Sequence, residues 1–167
     1  SQLVRHFNTA IPMQAGKGYH LKLASPPSSV PQLSIACVCA ETYVAVTPID
    51  NGIQLAGTIE FSGINHRLRQ KRLRMLQMGA QHYIKGLGQS APRSSWCGLR
   101  PCTTDGLPAV GRLPNWDNAY TTTGHAMMGL ALGPISARLL AETIDEGAAS
   151  IELPDLDPGR FGRPSRR

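Results

Sequence analysis

The 167-residue sequence predicts an α+β fold in which an antiparallel sheet is covered by helices. β-branched and apolar runs fill much of the first sixty residues, and Asp50-Asn51-Gly52 is a hairpin turn signal between two of them. Two segments with helical spacing of apolar residues follow, near residues 65–86 and 128–145. No Gly-x-Gly-x-x-Gly sequence follows an early strand, so the sequence does not predict a parallel dinucleotide-binding sheet.

The first half of the chain accounts for the sheet. Residues 1–15 are interpreted as the end of a helix and a loop that closes at Pro12. The predicted strands are Gly18–Ala24, Leu33–Cys39, Thr42–Pro48 and Ile53–Phe61. Ser25–Gln32 contains three prolines and cannot continue a ladder, so we expect a loop there. Four strands in this order leave one sheet face that needs cover.

The cover is expected from a helix between Asn65 and Gly86, because its apolar residues fall on roughly one helical face. That face comprises Leu68, Leu73, Met75, Leu76, Ala80, Tyr83, Ile84 and Leu87. Beyond it we expect extended chain at Ser94–Thr103, a turn at Asp105-Gly106, and short strands at Pro108–Leu113 and Asn118–Thr123.

A last helix is predicted from about Met128 to Asp145. Its predicted apolar face comprises Leu130, Leu132, Ile135, Leu139, Leu140 and Ile144. Pro134 removes one helical hydrogen bond, so the helix either starts there or kinks there. Gly147 is the predicted C-terminal cap.

Composition and charge limit the other function classes. No apolar run has the length of a membrane span. Cys37, Cys39, Cys97 and Cys102 show no metal-ligand or disulfide spacing, so we expect buried free thiols, no metal site and a cytoplasmic location. The net charge of +6 is concentrated at residues 66–74 and in the tail 160–167, which is compatible with nucleic acid or an anionic membrane surface as partner.

A candidate binding site lies at the turn Gly124-His125-Ala126-Met127-Met128-Gly129. The turn connects a predicted strand to the start of the last helix, where backbone N–H groups have no helical acceptor and the helix dipole is positive. Such a turn suits an anionic or carbonyl-rich ligand. From the residues alone, an ordinary strand-to-helix turn is the preferred interpretation of the pattern.

Three motifs together carry a family resemblance: the Gly124–Gly129 turn, Trp96-Cys97-Gly98-Leu99-Arg100-Pro101, and Asp105-Gly106-Leu107-Pro108-Ala109-Val110-Gly111. With them, the chain resembles the C-terminal part of FAD-dependent amine oxidoreductases of the D-amino acid dehydrogenase, glycine oxidase and sarcosine oxidase type. The resemblance implies FAD as cofactor and oxidative deamination of D-amino acids or related amines to 2-oxo acids and ammonia. It also implies a FAD-binding Rossmann half that precedes this region and is absent from the chain, which is therefore not expected to turn over alone.

The resemblance divides the chain into three parts. Residues 1–15 end the FAD-binding half, residues 16–105 form the substrate-binding sheet and its covering helix, and residues 106–167 return to the flavin. The implied partners are an amino acid substrate and the N-terminal half of the same protein, with no nucleic acid. A respiratory electron acceptor and peripheral contact with the inner membrane are compatible with the dehydrogenase branch.

Site residues also follow from the resemblance. Arg100 is expected to bind the substrate carboxylate, for which a planar guanidinium is suited, although a structural ion pair is the simpler interpretation of any single arginine. Tyr43 and Met127 are expected to contact substrate, and Tyr19 is a further candidate. The flavin-contacting residues are expected to be Gly124, His125, Ala126, Met127, Met128, Gly129 and Leu130. No catalytic acid or base is assigned, His125 is expected to be structural, and Asp105 is expected to cap its turn.

Two alternatives without catalysis remain. One is a basic module that binds nucleic acid or a membrane surface through residues 67–74 and the basic tail, and the other is a non-catalytic fragment or regulatory remnant. Leucines interleave with the arginines of residues 67–74 at core spacing, and no aromatic platform accompanies them.

Overall fold

The computed structural model describes residues 6–25 and 33–162. The chain divides into two compact units. One is Lys17–Leu99, and the other combines the residues up to Gly16 with those from Arg100 onward. The predicted loop residues 26–32, the basic tail residues 163–167 and residues 1–5 of the predicted helix end lie outside the described part.

A five-stranded sheet and a two-stranded sheet account for the strands, in agreement with the predicted α+β class. The strands are β1 (Met13–Ala24), β2 (Cys37–Cys39), β3 (Val44–Ile49), β4 (Gly52–Glu60), β5 (Pro92–Thr103), β6 (Ala109–Arg112) and β7 (Tyr120–Thr123). The larger sheet has the order β2-β3-β4-β1-β5, and the smaller one pairs β6 with β7 antiparallel.

The hairpin predicted at Asp50 is confirmed, since Ile49 pairs with Gly52 across a two-residue turn. Two strand boundaries were wrong. β1 begins at Met13 rather than Gly18, in a stretch with no β-branched residue to signal it. β2 covers only the end of the predicted Leu33–Cys39 strand, and a 3₁₀ turn at Ala40–Thr42 separates it from β3.

A β-bulge in β4 reverses which side chains face the core. Tyr19 pairs with Gly57 but Lys17 pairs with Glu60, so β4 carries one extra residue between these pairs. Thr58, with φ of 59°, lies in the bulge. As a result Glu60 is buried and Ile59 is exposed, the opposite of what simple alternation predicts.

The single helix of this unit, α1 (Gln70–Gln81), covers one face of the sheet. Leu73, Leu76 and Ala80 are buried with Tyr19, Leu21, Leu23, Val44, Val46, Ile53 and Leu55. Leu68, Met75 and Tyr83 are exposed, so their assignment to the buried face was wrong. The helix packs closely because Gly57 leaves room for Leu76, whose Cδ2 would lie 3.0 Å from a Cβ at that position.

The helix begins later than predicted because side chains from β1 bind the backbone that precedes it. The Lys17 ammonium donates to Asn65 Oδ1 at 2.7 Å and to the Arg67 carbonyl at 3.2 Å. Since the Arg67 carbonyl is bound in this way, residues 64–69 stay non-helical.

Glu60 is the centre of a buried ion cluster. Its carboxylate accepts from Ser62 Oγ at 2.6 Å, from Tyr19 Oη at 3.2 Å and from Arg72 Nε at 3.2 Å, and lies 3.1 Å from Lys17 Nζ. These contacts, the Ser62 hydroxyl first among them, lower the pKa of Glu60 from 4.5 to about 2 despite its burial.

Replacing Glu60 by Gln is expected to lower the free energy of unfolding at pH 7 by about 3 kcal/mol, because a buried cation loses its counter-charge. Since the pKa of Glu60 is lower in the folded state, its contribution is full above about pH 4.5 and is lost as the pH falls towards 2. Urea unfolding at pH 7 and pH 3 measures both effects. Glu152→Gln, at an exposed position, is the control, and an equal loss in both variants at pH 7 would contradict the role of the cluster.

The other unit contains β6, β7 and the helix α2 (Gly129–Asp145). Its core holds Ile11, Ala109 and Leu113, with Phe7, Met13, Ala119 and Phe161 packed against them. α2 runs through Pro134, so the helix does not start there, and Gly147 has the positive φ of 82° expected for a residue that ends a helix. Two 3₁₀ turns follow at Pro154–Leu156 and Pro158–Phe161.

The predicted apolar face of α2 is mostly not buried. Within the helix only Ser136 and Leu139 are buried, while Leu130, Leu132, Ile135 and Ile144 are exposed. The apolar periodicity correctly predicted the helix. It wrongly predicted a buried apolar face, because most of that face is exposed among the described residues.

All four cysteines are free thiols, and three of them are buried, as expected. Burial is the main cause that raises the pKa of Cys39. In residues 6–25 and 33–162, no group of three or more His, Cys, Asp or Glu side chains could hold a metal ion. The helices in the same ranges are too short or too polar to cross a bilayer.

Candidate functional site

The C-terminal end of β5 and the turn before α2 are joined through their backbones. The Ala126 N–H donates to the Pro101 carbonyl at 3.1 Å, and Cys102 forms an isolated antiparallel bridge with His125. Both segments belong to the same compact unit as Arg100. The structure therefore brings the predicted carboxylate-binding strand end and the predicted ligand turn together.

The turn depends on a left-handed backbone at Gly124. Its φ is 83°, and a Cβ built at this position would lie 2.6 Å from Cγ2 of Thr103. Thr103 is buried, and its hydroxyl donates to the Leu107 carbonyl at 2.7 Å. Two residues later Ala126 is also left-handed, with φ of 46°, which turns the chain into the helix.

Backbone donors remain available where α2 begins. Met128 N–H donates to the His125 carbonyl, and Ala131 and Leu132 N–H both donate to the Met128 carbonyl. The N–H groups of Met127, Gly129 and Leu130 have no acceptor within the described residues. They lie at the positive end of a 17-residue helix, so the site favours oxygen acceptors with negative charge.

Apolar side chains surround these donors. Met127 and Met128 are exposed, and Leu130 is 98% exposed. Exposed methionine and leucine beside free N–H groups suit a ligand that has both apolar surface and oxygen acceptors.

Arg100 has an unsatisfied donor. The residue is half-buried on β5, and its Nη1 atom is shielded from solvent without a hydrogen-bond partner among the described residues. A buried guanidinium N–H that lacks an acceptor is costly. No ion pair of Arg100 occurs in the described part of the chain, so the simpler interpretation of a structural salt bridge finds no support there.

The His125 side chain binds the helix instead of projecting away from it. Its Nε2 lies 2.9 Å from Oγ of the buried Ser136. The residues that support the site, Ser136 and Thr103, were missed by sequence reasoning, because a small polar residue gives no signal until its partner is known. The capping role predicted for Asp105 is confirmed, since its Oδ1 accepts from Leu107 N–H at 3.1 Å.

Tyr43 and Tyr19 belong to the other unit. Tyr43 ends the 3₁₀ turn with φ of 53° and is 81% exposed. Its contact with substrate stays a prediction. Tyr19 is buried in the core and bound to Glu60, which accounts for its hydroxyl without a ligand.

The basic segment 66–74 is partly neutralised within its own unit. Arg69 Nε and Arg72 Nε lie 3.3 Å and 3.2 Å from the Glu60 carboxylate, and Leu73 is buried. A single carboxylate does not balance the charge of the whole segment, so the nucleic-acid or membrane alternative stays a prediction.

The strand end and the turn thus bring together the chain segments that carry Arg100 and the free backbone N–H groups. The profile of the FAD dependent oxidoreductase (DAO) family matches residues 1–143, and the chain belongs to this family of oxidoreductase enzymes, whose cofactor is FAD.

Relatives and solved structures agree with this assignment. The chain is 33% identical over 161 residues to D-amino acid dehydrogenase of Vibrio atlanticus, and 36% identical over 160 residues to that of Methylobacterium radiotolerans. These matches cover 96% and 95% of the chain but 38% of each relative, so the chain spans less than two fifths of their length.

Two solved structures share the fold. Glycine oxidase from Geobacillus kaustophilus superposes with a TM-score of 0.81 at 22% identity, and the match covers 95% of this chain and 42% of that one. L-proline dehydrogenase from P. horikoshii gives a TM-score of 0.81 at 20% identity, with 97% and 44% covered.

Proposed function

We propose that this chain is the substrate-binding part, with the last flavin-contacting turn and helix, of an enzyme that oxidises D-amino acids. Dehydrogenation of the amino acid breaks the Cα–H and one N–H bond and gives an imine. Water then converts the imine to a 2-oxo acid and ammonia. When bound, FAD supplies the acceptor for the two electrons.

The observation that carries this proposal is Arg100, a half-buried residue whose guanidinium has no ion-pair or hydrogen-bond partner among the described residues. It lies on the strand end whose backbone joins the turn with free N–H groups. A substrate carboxylate would bind the guanidinium donors that stay open to solvent, and the planar guanidinium would fix its orientation. The name shared by the two D-amino acid dehydrogenase relatives supports the choice of substrate class.

The residues at the start of α2 fit the cofactor. The free N–H groups of Met127, Gly129 and Leu130 would hold the carbonyl-bearing edge of the flavin ring, and the exposed Met128 side chain would contact its apolar part. The positive end of the helix would stabilise the negative charge that the reduced ring carries at that edge. We assign no general base to the chain, because orientation of the Cα–H bond is its main contribution.

The test is a visible absorption spectrum of the full-length gene product before and after anaerobic addition of a D-amino acid panel. We expect a flavin spectrum that bleaches with D-amino acids and stays unchanged with the matched L-amino acids. A protein without flavin would contradict the cofactor assignment. Flavin that bleaches only with L-amino acids, or with neither set, would contradict the proposed substrate.

The electron acceptor belongs to the same proposal. We place a respiratory acceptor at the inner membrane after the reduced enzyme, as befits a dehydrogenase. Adding air or a soluble quinone to the bleached protein distinguishes a dehydrogenase from an oxidase. We expect reoxidation by the quinone, whereas rapid reoxidation by oxygen would identify an oxidase instead.

A further inference from the structure

Arg160 and Asp105 form an ion pair that closes the turn directly after the Arg100 strand. Arg160 Nε donates to Asp105 Oδ2 at 2.8 Å, and Nη2 donates to Asp105 Oδ1 at 3.3 Å and to the Leu107 carbonyl at 2.8 Å. The pair joins positions 55 residues apart in the chain. The Arg160 guanidinium holds the pKa of Asp105 at about 2, so the carboxylate is charged at every physiological pH.

The C-terminal segment that carries Arg160 is itself anchored. Pro158 is buried, and its Cδ would lie 3.2 Å from a Cβ at Gly111. The Arg160 guanidinium lies 4.1 Å from the centre of the Phe161 ring, and Phe161 packs against the small core of its unit. Arg160 Nη1 also donates to the Asp157 carbonyl at 3.2 Å. All three guanidinium nitrogens are thus engaged, and Arg160 is not a ligand-binding cation.

The closed turn is in contact with the ligand turn. Thr103 donates to the Leu107 carbonyl, the same oxygen that Arg160 binds, and the Thr103 methyl group lies 2.6 Å from the position that a Cβ of Gly124 would take. A shift of residues 103–107 by a few tenths of an ångström therefore moves Gly124 or opens space beside it.

We propose that Asp105 and Arg160 are a positioning pair that fixes the Gly124–Leu130 turn, and with it the free N–H groups of Met127, Gly129 and Leu130. The pair touches neither substrate nor flavin and acts through Thr103 and Gly124. The proposal rests on the proposed function only where flavin is concerned, because the conformation of the turn is measurable without it.

The experiment compares hydrogen exchange in the full-length gene product and its Arg160→Ala and Asp105→Asn variants. Asp105→Asn is a mild change, since an asparagine oxygen can still accept from Leu107 N–H. We expect exchange in peptides covering residues 122–132 to become about tenfold faster in both variants, and peptides covering residues 44–60 to be unchanged. The double variant should be no faster than the faster single one, because both remove the same interaction.

Arg112→Ala is the matched control, since the Arg112 guanidinium pairs with Asp117 on the surface of the same unit. Arg160→Lys keeps the charge but loses the planar guanidinium fork, so its exchange rate at residues 122–132 should lie between those of the wild type and Arg160→Ala. Unchanged exchange at residues 122–132, or an equal rise in all peptides, would overturn the proposal.

The flavin midpoint potential is the second readout. We expect it to become more negative in Arg160→Ala and Asp105→Asn, because a displaced turn stabilises the reduced ring less, and to stay at the wild-type value in Arg112→Ala. A wild-type potential in the two pair variants would overturn the role toward flavin. Absence of flavin from the wild-type protein would refute the proposed function. The exchange result would then decide whether Asp105 and Arg160 position the turn.

Discussion

Replacing Arg100 by Ala in the full-length gene product is expected to raise KM for D-amino acids about 100-fold while flavin content stays at the wild-type level. The half-buried Arg100 guanidinium has no ion-pair or hydrogen-bond partner among the described residues, so the substrate carboxylate is the partner that we propose for it. Hydrogen bonds to a charged group contribute roughly 1.5–3 kcal/mol each, and two of them at the lower end of this range correspond to about two orders of magnitude in KM. Steady-state kinetics with a soluble electron acceptor measures the change.

Two variants make this result specific to the guanidinium. Arg100→Lys keeps the positive charge without the planar fork and should recover only part of the affinity. Arg138→Ala removes an exposed arginine that pairs with Glu142 on α2, and its KM should equal the wild-type value. If KM in Arg100→Ala is unchanged, Arg100 does not bind the carboxylate.

Replacing Gly124 by Ala is expected to destabilise the protein and to reduce its flavin content. A non-glycine residue at φ of 83° costs about 1–2 kcal/mol, and the new Cβ would lie 2.6 Å from the Thr103 methyl group, which adds about 1–3 kcal/mol of overpacking. Thr103 cannot move away easily, because its hydroxyl is bound to the Leu107 carbonyl. Urea unfolding and the ratio of flavin to protein absorbance measure the two effects.

Gly147→Ala separates the two contributions. Gly147 has nearly the same φ, 82°, but no heavy atom within 4 Å of the Cβ position, so it should show the backbone cost alone and normal flavin content. Thr103→Ser in the Gly124→Ala background removes the clashing methyl group and keeps the hydroxyl. It should recover the part of the stability that is lost to overpacking. Equal losses at positions 124 and 147 would show that the contact with Thr103 has no influence.

One face of α2 is apolar and exposed. Leu130, Leu132 and Ile135 repeat at helical spacing yet are exposed, beside the exposed Met127 and Met128. The chain spans less than two fifths of the length of its curated relatives.

Local sequence determined several parts of this protein by itself. The α+β class, the hairpin at Asp50-Asn51, the existence of both helices and the cap at Asp105 follow from periodicity and turn chemistry, which act over a few residues. Motifs of a few residues were likewise sufficient to identify the family, because the matching strand end and turn are each continuous in sequence.

Tertiary structure alone decided the rest, since it depends on partners far apart in the chain. The bulge at Thr58 turned Glu60 inward to Lys17, and Lys17 in turn held the backbone that delays α1 until Gln70. The contact of Thr103 with Gly124 and the pair of Asp105 with Arg160 are equally invisible to a local pattern. Burial and ion pairing between distant residues are properties of the packed chain, so no spacing rule within one segment contains them.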